Sequence, residues 1–219
     1  MKTTGKAQPS RTVEEYSAVT RIVEALKKEL ISGVLSPDTL IVESQIGKRF
    51  GLSKTPAREA LVRLSEMGFV SVIPGKGYTV TKLSWQQIKD LFEVRLVLES
   101  AAVELAVARA VSQDIEALKT AAVVPRKRQL TIEQLLDANL QFHSIIWRTT
   151  RNQRLLQLAS ETMDDLMRAM HTAMLSEDTY EMVEQHLAMT HLIAEKKPTQ
   201  ARDAMVEHVD ATRRRLLGL

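Results

Sequence analysis

Five histidines stand at positions 143, 171, 186, 191 and 208, all in the C-terminal part of the chain. A neutral imidazole offers a lone pair to Zn, Ni, Fe or Mn, and an amide oxygen is a weaker, harder donor. Asn139 and His143 are four residues apart, so a helix would present both from one face. His186 and His208 fall in two later helical stretches, and a helical bundle could bring all four side chains to one interior point. His191 follows His186 at a spacing of about 140° around a helix and should face elsewhere. His171 has no partner at ligand spacing. The competing reading is that these are ordinary core or surface histidines, because no compact HExxH-type motif ties them together.

A second group of candidates lies near the N-terminus. Ser53 is placed to cap a helix whose first turns carry Lys54, Thr55 and Arg58. Cations there can meet phosphates or guanine edges, and the positive end of the helix dipole also favours a phosphate. Gly75-Lys76-Gly77 forms a small cationic tip that could lie on a nucleic-acid backbone or in a minor groove. The charge follows the same division. Residues 1–80 hold 12 Lys and Arg against 8 Asp and Glu, whereas residues 81–219 hold 18 against 19. A polyanion partner for the first part alone fits that asymmetry, although a solvated charged face would look the same by composition.

Composition removes other classes. With no cysteine among 219 residues, disulfides, thiolate metal sites and cysteine nucleophiles are excluded. A reducing cytoplasm is the expected location. No apolar run approaches the roughly 20 residues of a membrane span, and no secretory signal is expected at the N-terminus. Aromatic residues are 4% of the chain, which weakens any proposal of stacking platforms for bases.

The elements that must position these groups can be read from spacing and punctuation. Residues 1–12 read as a flexible tail. Helical periodicity runs from Val13 to Ile31, with Gly33 after it and a turn at Ser36-Pro37-Asp38. A short helix from Glu43 to Phe50 ends at Gly51, and the helix after Ser53 stops near Gly68. Two β-rich runs, 69–73 and 78–80, flank the glycine-rich tip and predict a hairpin. Beyond Ser84 the pattern is helical almost throughout. It predicts helices over about 84–111, 112–123, 131–150, 152–175, 179–196 and 199–217, with Thr131 and Gln134 as a capping box and Pro198 as a break. The fold expected is therefore mostly α. A winged helix-turn-helix over 13–81 precedes an all-helical bundle over 84–217.

The run Leu52-Ser53-Lys54-Thr55-Pro56-Ala57-Arg58-Glu59-Ala60-Leu61-Val62-Arg63-Leu64, followed by Gly68-Phe69-Val70 and Pro74-Gly75-Lys76-Gly77, resembles the recognition-helix and wing signature of GntR-family bacterial transcription regulators. The helical remainder resembles the effector-binding domain of the FadR subfamily. The resemblance implies DNA contacts by Lys54, Thr55 and Arg58, with Gly75 at the wing, and Lys76 joins them as the cation of the hairpin tip. It also implies a divalent metal, of the Zn, Ni or Mn class, held by Asn139, His143, His186 and His208. Arg95 is implied as the group facing an effector carboxylate. The other reading of Arg95 is an ion pair with Glu99 one turn on.

Two departures stand out. Lys54 replaces the family's usual arginine and lacks its bidentate fork, and Ser44 stands where the short helix often supplies another arginine. Asn139 replaces aspartate, which removes a negative charge beside a dication. A metal-free pocket in which the histidines meet the effector directly is the alternative. The expectation is a ligand-responsive regulator, a repressor in the commoner family behaviour, that binds a pseudo-palindromic duplex operator as a homodimer. A small carboxylate in the helical domain would release or reset it. The alternatives are a metal-dependent hydrolytic enzyme and an effector-free architectural DNA-binding protein. Trp147 is expected in the core, Arg213-Arg214-Arg215 at the dipole of the last helix, and Arg126-Lys127-Arg128 in a solvated loop.

Overall fold

The structure is a computed structural model and describes residues 13–123, 131–173 and 179–218. The tail over 1–12, the loop with Arg126-Lys127-Arg128 and the predicted helix end at 175 lie outside the described residues. The chain divides into two compact units at Lys82 and Leu83.

The first unit contains α1 (Val13–Ile31), β1 (Leu40–Ile41), α2 (Glu43–Phe50), α3 (Lys54–Glu66), β2 (Val70–Ile73) and β3 (Gly77–Val80). Ile22, Leu26 and Leu30 recur at helical spacing on α1, and Leu61 and Leu64 face them from α3, all fully buried. Each such side chain gains about 1.5–3 kcal/mol on leaving water, so this cluster fixes α3 against α1. Between α2 and α3 the backbones nearly touch. A Cβ on Gly47 would stand 2.8 Å from the Leu52 carbonyl oxygen, so only glycine lets the turn close this tightly. The sheet is antiparallel in the order β1-β3-β2, with Val70 opposite Val80 and Ile73 opposite Gly77.

Sequence spacing does not reveal β1, a two-residue strand that pairs Leu40 with Thr79. Its signal is too short to show a period of two. Ser53 occupies the N-cap of α3 but makes no side-chain capping bond, contrary to its expected role.

The second unit, among the described residues, consists of α4 (Trp85–Arg109), α5 (Ser112–Ala122), α6 (Ile132–Thr149), α7 (Gln153–Ala173), α8 (Thr179–Ala194) and α9 (Pro198–Leu217). Helix α4 packs against α6, α7, α8 and α9. Ser84 and Gln87 form a capping box that opens α4, as do Thr131 and Gln134 for α6. Each box satisfies backbone N–H groups that have no partner inside the helix. Pro198 stands in the first turn of α9, where its missing N–H costs nothing. Lys196 adopts a left-handed φ of 59°, and its Nζ donates to the carbonyls of Val107 and Ala110 at 2.8 and 3.0 Å. The α8–α9 corner is thereby fastened to the end of α4.

Candidate functional site

The interior of the second unit is not wholly apolar. Arg95 and Glu99 on α4, Asn139 and His143 on α6, His186 on α8 and His208 on α9 are all buried. Helical periodicity explains their convergence. Arg95 and Glu99 lie on the same stripe of α4 as Ala102, Val103 and Ala106, and Asn139 and His143 lie on the stripe of α6 that carries Leu135, Phe142 and Ile146.

The nitrogens of His143, His186 and His208 approach within 4.8 Å of one another. Nε2 of His143 is 3.1 Å from Nε2 of His208. The outward ring nitrogens explain which tautomers are present. His208 Nδ1 is 2.7 Å from Gln185 Oε1, an atom that can only accept, so Nδ1 carries the proton. His143 Nδ1 is 2.9 Å from Glu99 Oε1, which again only accepts when ionised. With Nδ1 engaged outward, each ring turns its Nε2 toward the other across the interior. Nε2 of His186 and Oδ1 of Asn139 are buried without a hydrogen-bond partner. Neutral imidazoles in this arrangement can offer their Nε2 lone pairs to one electron-pair acceptor placed between them. Imidazoles bind first-row ions at about 2.0–2.1 Å, which requires nitrogens spaced much as these are. The donor set fits a divalent metal.

Electrostatics favour the same state. Burial, followed by the influence of His143 and Arg95 nearby, pushes His186 well below its ordinary pKa of 6.5. Burial and then His143, His186, Arg95 and Arg215 do the same to His208. Both rings are neutral at pH 7, with lone pairs available. Glu99 runs the other way. Burial raises its pKa, but His143, Arg95 and the Trp147 N–H together hold it below the usual carboxylate value. Trp147 Nε1 donates to Glu99 Oε2 at 2.9 Å. Trp147 is thus in the core, as expected, but its polar edge also has a task there. Phe142 stacks on His186 with ring centroids 3.9 Å apart and fixes that ring from one side.

Arg95 makes the ion pair with Glu99 that its spacing allows. Its Nε is 3.8 Å from Glu99 Oε1, and its Nη2 is 3.4 Å from His143 Nε2, which sets a cation at the edge of the triad. His191 is exposed beside Glu195, and neither it nor His171 belongs to the triad, as the spacing predicts. Glu99 and Gln185 were not singled out as site residues by sequence reasoning. The signal for Glu99 is a charged i,i+4 pair inside an otherwise apolar helical stripe. The signal for Gln185 is only its place next to His186. The terminal arginines pair within reach of Asp210, Glu207 and Glu181, so they make specific ion pairs in addition to complementing a dipole.

In the first unit, Lys54, Thr55 and Arg58 are exposed along the start of α3, and Gly75 and Lys76 are exposed at the hairpin tip. Lys54, Arg58 and Lys76 line one cleft with Glu43, Ser44 and Tyr78. Arg49 is not a substitute for the arginine missing at position 44. Both its terminal nitrogens are engaged by Glu29, with its guanidinium 5.3 Å from the Phe50 ring.

Residues 18–80 match the family model described as bacterial regulatory proteins, gntR family, and residues 90–211 match that of the FCD domain. The chain belongs to the GntR family. This GntR-family protein is 28% identical over 220 residues to the Uxu operon regulator of Haemophilus influenzae, covering 91% of its own length and 82% of that relative. It is 27% identical over 198 residues to the HTH-type transcriptional repressor GlaR of Escherichia coli, covering 84% and 89% of the two chains. Among solved structures, McbR/YncC of Escherichia coli superposes with a TM-score of 0.75 at 23% identity, over 91% of this chain and 96% of that one. At that identity the likeness concerns the fold: a winged helix-turn-helix with an all-helical C-terminal domain. The protein is a transcriptional regulator, and the hydrolytic-enzyme alternative is set aside because the matched relatives are regulators. No helix among the described residues is long and apolar enough to cross a membrane.

Proposed function

We propose that this regulator is a cytoplasmic, homodimeric repressor whose grip on a pseudo-palindromic operator is controlled by a small carboxylate bound at the buried histidine cluster. Residues 13–81 are its DNA-binding domain, and residues 84–217 sense the effector and dimerise. The observation that carries this reading is the triad of His143, His186 and His208, with the outer nitrogens of His143 and His208 set against Glu99 and Gln185. Asn139, His143, His186 and His208 would hold the ion. Such an ion, when bound, supplies a Lewis-acidic charge that attracts a carboxylate. Asn139 is neutral, so the site keeps more positive charge than one with aspartate there, and buried Arg95 beside His143 adds to it. Both features favour an anionic ligand.

At the DNA, Lys54, Thr55 and Arg58 would enter the major groove while Gly75 and Lys76 meet the backbone or the minor groove. The repressor sense is supported by the name of the GlaR relative. Dimerisation is supported by apolar side chains that α4 leaves in solvent, Val94 at 49% and Val97 at 69% exposure. Control requires that the effector bind the DNA-free arrangement more tightly than the DNA-bound one.

The test is a thermal-shift screen of small carboxylic acids, with and without added Zn²⁺, Ni²⁺ or Mn²⁺, followed by DNA release by the hits. The protein is expected to hold about one such ion per chain, and His186→Ala to lose it. Carboxylate binding that is indifferent to the ion would remove the metal from this reading. DNA retention that no binding carboxylate alters would overturn effector control.

A further inference from the structure

Arg58 is not a free cation. Its Nε donates to Glu43 Oε1 at 2.8 Å, and its Nη2 donates to Glu43 Oε2 at 3.0 Å. This is a bidentate pair along the side edge of the guanidinium. It joins the first residue of α2 to the first turns of α3, across the cleft that faces the wing. Arg58 remains 66% exposed, while Glu43 is 20% exposed and sits deeper. The bond to Arg58 is the chief reason that Glu43 lies below its ordinary pKa, so the carboxylate is charged at any working pH.

A guanidinium has five N–H bonds in a rigid fork. Glu43 occupies one on Nε and one on Nη2. Three are left over, two on Nη1 and one on Nη2, and one from each nitrogen forms the end edge. Two consequences follow from charge and geometry. The pair is close to neutral, so Arg58 contributes little long-range attraction to phosphates. Its remaining donors have a fixed plane and suit two parallel acceptors, such as O6 and N7 of guanine in a major groove. Lys54 and Lys76, on the same cleft, keep the point charges suited to phosphate.

We propose that Glu43 is a specificity-determining positioning residue: by holding the side edge of Arg58 it turns a general DNA cation into an oriented reader of paired major-groove acceptors. This rests on the reading of Arg58 as a DNA-facing residue. Glu43 itself need not touch DNA. Its effect is to lower affinity for the wrong duplex while raising it for the right one, which combines attraction and penalty in one pair.

The experiment uses the full-length protein and two duplexes, one selected from a random pool by the wild type and one scrambled from it. Affinities are measured across a range of salt concentrations for the wild type, Arg58→Ala, Glu43→Gln and Glu43→Asp. Glu43→Gln is nearly isosteric and removes the charge. It is expected to bind the scrambled duplex several-fold more tightly, with a salt slope steeper by about one, because Arg58 becomes a phosphate contact. It should bind the selected duplex more weakly, by about tenfold, as the guanidinium loses its plane. Glu43→Asp keeps the charge but withdraws the oxygens. It should leave scrambled binding low and still weaken the selected complex. Unchanged discrimination in Glu43→Gln overturns the inference. So does an equal gain on both duplexes, which would make Glu43 only a competitor that DNA displaces. If Arg58→Ala abolishes discrimination while Glu43→Gln leaves it intact, the DNA assignment of Arg58 stands and this inference alone falls. If Arg58→Ala changes nothing, both fall together. Thermal midpoints of all four proteins check folding, and Glu43→Asp provides the answer should Glu43→Gln be misfolded.

Discussion

Replacing Glu99 with glutamine tests whether the imidazole lone pairs of the triad are held inward by design. Trp147 Nε1 donates to Oε2 of the Glu99 carboxylate and His143 Nδ1 lies against its Oε1, each at 2.9 Å. An amide has only one oxygen, so its NH₂ must face one of them. The indole cannot give up its proton, whereas the imidazole can shift its own from Nδ1 to Nε2. Glu99→Gln should therefore drive His143 into the tautomer whose Nε2 proton points at His208. Recovering the lone pair then means leaving a buried donor unmatched, a cost of about 1–3 kcal/mol. Since about 1.4 kcal/mol is a factor of ten, Zn²⁺ affinity should fall by about 10–100-fold, the range usual for lost outer partners of a metal-bound histidine. Competition against a chromophoric chelator at pH 7.5 reads this directly, and the melting temperature of the metal-free protein controls for general damage. Trp147→Phe in the same background removes the rival donor and lets the amide oxygen turn to His143, so part of the affinity should return. A Glu99→Gln protein that binds Zn²⁺ within about twofold of the wild type would refute the tautomer reasoning.

Three further outcomes are expected. Arg95→Lys keeps the buried positive charge but loses the fork, so it should weaken the response to a carboxylate effector and leave DNA affinity without effector unchanged; gel-shift titration with and without the acid checks both. Gly47→Ala places a Cβ 2.8 Å from the Leu52 oxygen and 3.0 Å from that of Ser53, and should destabilise the N-terminal unit by about 1–3 kcal/mol in urea unfolding. The metal-free protein should also lose stability as the pH falls below 6.5. His186 and His208 resist protonation when folded, while the unfolded chain takes up protons there, so a lower urea midpoint at pH 5.5 than at pH 7.5 is the sign to look for.

Local signals were the most readable in the sequence. Ser84, Thr131 with Gln134, and Pro198 mark helix starts through chemistry confined to one turn, and the helices begin there. Angle around the helix separated His191 from His186, while the ligand set itself came from the family resemblance. What local spacing could not supply is contact between distant segments. Glu99 reaches His143 from 44 positions away in the chain, and nothing at either end announces it. The pair of Glu43 with Arg58 spans 15 positions and two helices, so Arg58 reads in sequence as an unattached cation. Strand β1 escaped notice because two residues carry no period, and it exists through β3, whose Gly77 lets the Ile41 carbonyl approach.

Lys196 has a consequence beyond its own bonds. A single ammonium clasps the last carbonyls of α4 at the vertex where α8 turns into α9. His186 lies upstream of that vertex and His208 downstream, while Arg95 and Glu99 belong to the clasped helix. Slippage of the vertex along α4 would carry both imidazoles past the guanidinium and the carboxylate together. The spacing of the buried histidine cluster is thus set at a pin on the protein's rim, remote from the imidazoles themselves.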